Sequence, residues 1–156
     1  VWLAPMSRDE MAEMVRSLGK RMGVRVRGRE EIDTLFRQYG GHPLLTRKAC
    51  SLAAKSRTPE ALPFHIDSEA LAGALRSTSY DGPREQAAEI LESFTEWFPD
   101  EAALMRLYFS EDAEEQAVGR SLLAEDPSAM LHAVSYGLCF EDHRPRIAAA
   151  IERLGG

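Results

Sequence analysis

The sequence QYGGHPLLTRKAC (residues 38–50) decides how the first half of this chain is interpreted. Gly40 and Gly41 can adopt backbone conformations that end a helix, and Pro43 suits the first position of the next helix, where a missing N–H costs nothing. The stretch therefore predicts a turn between two helices. Because glycines also let other groups approach the backbone closely, a loop that holds a ligand is the second interpretation.

Helical signals lie on both sides of this stretch. Ser7 and Glu10 have the spacing of a capping box, and Gly23 is placed to end the helix that they begin. The apolar residues between these signals recur at helical spacing: Met11, Met14, Val15, Leu18 and Met22. A second helix is predicted over residues 30–39, and a third begins at Pro43. The first half is therefore predicted to be a small helical bundle.

Residues 64–156 show more helices and one turn-rich segment. Helix starts are predicted at Asp67 or Ser68, Pro83, Asp100, Asp112 and Pro127, and a last helix over residues 147–154. Two short apolar stretches, 138–140 and 146–147, flank a turn at residues 142–145 and predict a short hairpin. The predicted fold class is mainly α, with a helical bundle followed by a winged-helix-like domain that has a small β-hairpin.

Composition limits the classes of protein to which the chain can belong. It has 156 residues, of which 44% are hydrophobic and 28% charged, as in globular proteins. No apolar run is long enough for a membrane span, and no signal pattern opens the chain. Cys50 and Cys139 are predicted to be reduced core residues, which favours a cytoplasmic location. The opening segment VWLAPM (1–6) lacks an initiator methionine and resembles the end of a strand, which predicts a fragment of a longer polypeptide, with a processed protein as the alternative.

The net charge of −6 conceals an asymmetry between the two parts of the chain. Residues 1–57 carry twelve Lys and Arg against six Asp and Glu, whereas residues 58–156 carry seven against nineteen. The first part is therefore +6 and the second −12. This split predicts two domains with a boundary at SRTPEALP (56–63), where two prolines interrupt any helix.

No set of residues in the sequence indicates catalysis by this chain alone. The phosphate loop GxxxxGK[ST], the HExxH and CxxC metal motifs and the GxSxG nucleophile motif are all missing. The four histidines, His42, His65, His132 and His143, fall in four separate elements, so no metal site is predicted. The chain is therefore not predicted to be an enzyme by itself.

A winged helix raises the possibility of DNA binding, which the charges disfavour. The candidate recognition helix PSAMLHAVSYG (127–137) contains no Lys or Arg and lies in the acidic part. Binding to phosphates requires clustered basic residues on one face, and Arg144 and Arg146 in the hairpin are too few. A protein contact is the better interpretation of this part.

The order of these elements resembles the region that follows the nucleotide-binding core in STAND ATPases, the AAA+-related signal-transducing NTPases that include NACHT and apoptotic-type members. In that family a helical lid carries a Gly-x-Pro motif at the start of a lid helix, and a winged helix comes next. Here the match is Gly41-His42-Pro43, with Gly40 before it and LLTRKAC (44–50) after it. The winged-helix likeness rests on MLHAVSYGLCFEDHRPRI (130–147).

The resemblance implies a lid at residues 1–60 and a winged-helix domain at residues 64–156. It implies that Gly41 and Pro43 contact ATP or ADP and that His42 is their neighbour in the site. The nucleotide and its Mg²⁺ would be held mainly by an upstream core, because the phosphate-loop lysine, the magnesium-binding acid and the sensor residues are absent here. Arg47 and Lys48, one turn further on, are interpreted either as phosphate contacts or as a solvated basic face.

The function predicted from this resemblance is regulatory. The lid closes on the nucleotide in the parent ATPase, and the winged helix passes the change to a protein partner or a neighbouring subunit. The main alternative is a stand-alone helical adaptor that binds protein through its acidic half. A winged-helix DNA-binding module is a further alternative. Nucleic acid and membranes are not expected partners.

Overall fold

The computed structural model of the chain describes residues 5–26, 28–55, 64–77 and 82–155. Over these ranges the chain is mainly helical, which confirms the fold class at this level. The helices are α1 (Arg8–Met22), α2 (Arg29–Tyr39), α3 (Pro43–Lys55), α4 (Ser68–Arg76), α5 (Pro83–Trp97), α6 (Pro99–Tyr108), α7 (Ala113–Glu125), α8 (Leu131–Ser135) and α9 (Ala148–Ile151), which continues into a 3-10 turn (Glu152–Gly155). The two strands are β1 (Val24–Arg25) and β2 (Phe64–His65).

The chain divides into two compact units, one up to Gln86 and one from Ala87 onward. The boundary predicted at residues 56–63 lies outside the described residues, as do the first four residues of the strand end predicted at 1–6. Residues 5 and 6 belong to no regular element. α4 packs on α3, and β2 pairs with β1, so both elements belong to the first unit. The compact units and the predicted domains therefore differ over residues 64–86, which the sequence analysis assigned to the second domain.

The helix limits of the first unit follow the signals in its sequence. The Ser7 hydroxyl accepts a hydrogen bond from the Glu10 amide, and the Glu10 carboxylate accepts one from the Ser7 amide, which confirms the capping box. Gly23 ends α1 in the left-handed region with a φ of 70°. α2 ends before Gly40, and α3 begins at Pro43, as predicted.

The core of the first unit forms where the apolar stripes of α1, α2 and α3 meet. These helices contact one another, and α3 also contacts α4. The largest fully buried side chains of this unit are Met11, Ile32, Leu35, Tyr39, Leu45, Thr46 and Leu71. Thr46 satisfies its hydroxyl by donating to the His42 carbonyl at 2.9 Å, which removes the cost of burying it.

The strands β1 and β2 of the first unit form a two-stranded parallel sheet. Val24 lies opposite Phe64, and Arg25 lies opposite His65. A Cβ atom on Gly19 would overlap the Val24 carbonyl, so glycine allows β1 to fold back on the last turn of α1. The Arg25 guanidinium then donates to the carbonyls of Gly19 and Val24, at 3.0 and 3.1 Å.

The second unit is built on the pairing of α6 with α7. Gly119 makes this pairing close, because a Cβ atom there would overlap the backbone of Leu107 and Tyr108. α7 begins at Asp112, whose carboxylate accepts from the amides of Glu114 and Glu115. α6 begins at Pro99 with Phe98 as its N-cap, so the cap predicted at Asp100 was wrong by two residues.

The segment after α7 is less regular than predicted. Residues 127–130 form turns, and α8 contains only five residues, so the helix predicted from Pro127 is much shorter. Gly137 has a left-handed conformation, with a φ of 76°. The predicted hairpin is present as a single antiparallel bridge between Cys139 and Pro145. Its turn includes His143, which also has a positive φ, of 64°.

Glu101 of α6 provides the cap that α8 lacks in its own sequence. Met130, at the N-cap position, makes no side-chain cap bond. Instead, the Glu101 carboxylate accepts from the amides of His132 and Ala133, at 3.3 and 3.0 Å. It also pairs with Nδ1 of His132 at 2.7 Å, and the His132 ring stacks on Phe98 at 4.1 Å. One carboxylate thus joins α6 to the start of α8.

We therefore expect Glu101→Ala to destabilise the second unit by about 1–2 kcal/mol, because the first amides of α8 lose their only side-chain acceptor among the described residues. Urea unfolding followed by circular dichroism measures this change. Glu96→Ala is the matched control, since it removes an exposed carboxylate from a neighbouring helix. Equal unfolding free energies for the two variants would contradict the cross-helix cap.

Candidate functional site

The candidate residues Gly41, His42 and Pro43 lie in the tight connection between α2 and α3. Gly40 and Gly41 both have left-handed backbones, with φ values of 58° and 78°. The Gly40 amide donates to the Phe36 carbonyl at 2.8 Å, and the His42 amide donates to the Tyr39 carbonyl at 3.0 Å. These bonds satisfy the Phe36 and Tyr39 carbonyls at the end of α2, so the loop is a hydrogen-bonded turn between two helices.

The close-approach face of Gly41 is occupied by the chain itself. The Met6 amide donates to the Gly41 carbonyl at 2.9 Å. A Cβ atom on Gly41 would overlap the Met6 carbonyl, so the residue must be glycine for this contact to form. Gly41 is buried. The sequence suggested that a ligand approaches the Gly41 backbone. In the structure that position is occupied by Met6, in the segment that leads into α1.

His42 acts as the N-cap of α3. Its Nδ1 accepts a hydrogen bond from the Leu45 amide at 3.4 Å, and its carbonyl accepts from the Thr46 amide at 3.1 Å. A backbone amide can only donate, so Nδ1 carries a lone pair and the imidazole is neutral. Burial lowers the pKa of His42 from its ordinary value of 6.5, which agrees with a neutral ring.

Pro43 and the basic residues after it are more open. Pro43 is half-buried at the first position of α3, and Leu44 is 40% exposed. Arg47 is exposed and forms no ion pair with any described residue. Lys48 is half-buried and has an interaction of its own. The part of the loop that a ligand can reach is therefore the start of α3, rather than the glycine pair.

A cavity of about 310 Å³ lies beside this loop, between α1, β1 and α3. Its walls are mostly apolar and include Met14, Leu18, Val26 and Leu44. Arg47 and Lys48 also line it. Gly41, His42 and Pro43 do not, so the structure separates the predicted contacts from the cavity next to them.

The cysteines and other ligand-type residues give no second site within the described ranges. Cys50 and Cys139 are free, and burial raises the pKa of their thiols to about 11 and about 12. At neutral pH both therefore remain thiols of low reactivity. No group of three metal-ligating side chains occurs among the residues that the structure describes. None of the helices described there is long and apolar enough to span a membrane.

Comparison of the chain with protein-family models, with curated proteins and with solved structures gave no match.

The sequence analysis missed two features of this region. It did not identify Met6 as the partner of Gly41, because the two residues lie 35 positions apart and a backbone hydrogen bond leaves no signal in the side chains. It also did not identify the cavity, whose walls combine Met14 and Leu18 with the outward face of α3. An apolar Leu44 one turn before Arg47 and Lys48 was the one indication of it in the sequence.

The capping role of His42 predicts a pH dependence of stability. Because its folded pKa is lowered, the unfolded chain takes up the proton first, so stability falls as pH drops below about 6.5 and is unaffected well above that value. His42→Asn retains a capping acceptor that does not titrate. We expect the unfolding free energy of the wild type, relative to this variant, to be constant from pH about 8 to about 7 and to decline toward pH about 5.

Urea unfolding at a series of pH values measures this difference. His65→Asn is the matched control, because it removes an exposed imidazole from the same unit. A difference between wild type and His42→Asn that does not change with pH would contradict the neutral cap.

Proposed function

We propose that this chain is a regulatory part of a STAND-like or AAA+ ATPase, in which the first unit acts as a helical lid. In this proposal Pro43 contacts the base of ATP or ADP held by an upstream core. His42 is its neighbour, and Gly41 fixes the loop. A proline ring offers a rigid apolar face for such stacking, and Arg47 lies one turn further along α3. The lid angle then reports the nucleotide state to a protein partner or a neighbouring subunit.

The observation that supports this proposal best is the hydrogen bond between Met6 and Gly41. Met6 lies in the segment through which the chain enters α1, so a displacement of upstream residues acts directly on the GGHP loop. The loop in turn holds the end of α2 and the start of α3 through the bonds of Gly40 and His42. In this proposal the entry segment, the loop and the two helices move together when the bound nucleotide changes.

The second unit is proposed as a winged-helix-like domain that contacts protein. Support comes from the order α7, α8 and the antiparallel bridge between Cys139 and Pro145, which follows α8 as a wing would. DNA recognition is disfavoured, because α8 spans only about 7.5 Å at 1.5 Å per residue and has no Lys or Arg. The guanidinium groups of Arg144 and Arg146 lie over the Phe140 ring, 5.1 and 4.9 Å from its centroid.

A stand-alone protein-interaction adaptor is the second candidate function, and exposed apolar residues favour it. Trp97 is 75% exposed and Leu131 is 57% exposed, both in the acidic second unit. Large exposed aromatic and aliphatic side chains are common at protein-binding surfaces. Neither Trp97 nor Leu131 has a part in the nucleotide proposal, so binding of a protein partner without any nucleotide would favour the adaptor.

The nucleotide proposal is tested in the longer polypeptide that carries the core, by titrating a fluorescent ADP analogue. We expect Pro43→Ala to weaken binding by about tenfold, because the stacking face is lost while α3 still forms. Pro99→Ala is the matched control, since Pro99 also occupies the first position of a helix but lies in the second unit. Equal affinities for wild type, Pro43→Ala and Pro99→Ala would contradict a nucleotide contact at Pro43 and favour the adaptor.

A further inference from the structure

The cavity beside α3, called the groove below, has mostly apolar walls and one basic edge. On α3, its lining extends from Leu44 to Ala54, which is a length of about 15 Å at 1.5 Å per residue. Met14 and Leu18 of α1 form the opposite wall. Arg47 lines the groove and has no ionic partner among the described residues. Such a groove fits the apolar face of a helix that also carries acidic residues.

Helix α7 of the second unit has the complementary surface. Val118 and Leu122 are one turn apart and are 50% and 43% exposed. Glu114 precedes this pair by one turn, and Glu125 follows it by about one turn, so the four residues share one face of α7. We call these four residues the acidic stripe. Its length, from Glu114 to Glu125, is about 16 Å at 1.5 Å per residue, which matches the groove.

The opposite face of α7 already has its own packing role. Gly119 and Leu123 are the buried residues of the helix, and Gly119 packs on the backbone of Leu107 and Tyr108. The acidic stripe is thus left exposed, with two aliphatic side chains between carboxylates. Burial of two such side chains supplies an association energy, and the flanking charges select a basic acceptor.

We propose that this chain self-associates head to tail, with the acidic stripe of one copy seated in the basic-edged groove of a second copy. The occupant is a second copy because the chain itself supplies the matching length, apolar pair and charge. The charge asymmetry of the chain also favours this contact, since residues 1–57 carry +6 and residues 58–156 carry −12. Groove and stripe are different surfaces, so the contact is heterologous and can continue beyond a dimer. The inference does not depend on nucleotide binding.

The first test is the average mass of the chain in sedimentation equilibrium, measured up to millimolar concentration at low and at high salt. We expect the mass to rise above the 17.4 kDa of the monomer and, at the highest concentrations, beyond that of a dimer. High salt should weaken association, because it screens the exposed charges. A chain that stays monomeric at every concentration overturns the proposal.

Charge reversal then identifies the surfaces. Arg47→Glu in the groove, and Glu114→Lys with Glu125→Lys in the stripe, should each lower the association constant by about tenfold or more. All three positions are exposed, so we expect the fold to be retained, and circular dichroism checks this. The matched controls are Arg16→Glu on α1 and Glu92→Lys with Glu96→Lys on α5, which make the same charge changes at other exposed positions. Controls as damaging as the test variants would overturn the proposal.

Mixing the two reversed variants is the decisive step. The Arg47→Glu copy offers an acidic groove edge, and the Glu114→Lys/Glu125→Lys copy offers a basic stripe. We therefore expect the equimolar mixture to associate more strongly than either variant alone. A mixture that remains as weakly associated as its components would overturn the assignment of groove and stripe.

Discussion

The hydrogen bond from the Met6 amide to the Gly41 carbonyl, 2.9 Å long, is the contact on which the organisation of the first unit depends. It forms only because residue 41 has no Cβ and has a φ of 78°, which L-residues with side chains rarely adopt. Through it the segment before α1 is attached to the turn between α2 and α3. Three helices therefore converge on one buried glycine, and the cap of α3 by His42 follows directly after it.

Local chemistry explains why much of this unit could be predicted from the sequence. Ser7, Glu10 and Gly23 act within four residues of the helix ends that they define, so their roles are visible in the order of residues alone. The same is true of Pro43 at the start of α3. The predictions that missed their positions depended on distant residues. α8 is short because residues 127–130 form turns, and it is capped by Glu101 from another helix rather than from its own sequence.

The candidate site was predicted in part for the same reason. The sequence indicated a turn of special backbone conformation at Gly40 and Gly41, and the structure has it. It could not indicate what lies against that backbone, since Met6 contributes only main-chain atoms. The structure confirms the turn at the GGHP stretch, whereas the loop that holds a ligand stays a prediction. Gly41 serves the fold, His42 serves the helix start, and the accessible surface begins at Pro43.

The two proposals use neighbouring but separate surfaces of α3. The nucleotide proposal uses its first residue, whereas the groove extends along the helix from Leu44 to Ala54. Arg47 lines the groove one turn beyond Pro43 and has no ionic partner among the described residues, so it is available to either an anionic ligand or an acidic helix. The GGHP loop sets the position of α3, so the hydrogen bond between Met6 and Gly41, called the clamp below, helps to position both surfaces.

Amide hydrogen exchange at Met6, followed by NMR in the intact chain, tests the clamp most directly. The account predicts that this amide exchanges at least about a hundredfold more slowly than an unstructured one, although it precedes the first helix and lies outside every regular element. It also predicts that the protection disappears in Gly41→Ala, whose methyl group displaces the Met6 carbonyl. Exchange of Met6 at the unstructured rate in the wild type would contradict the account.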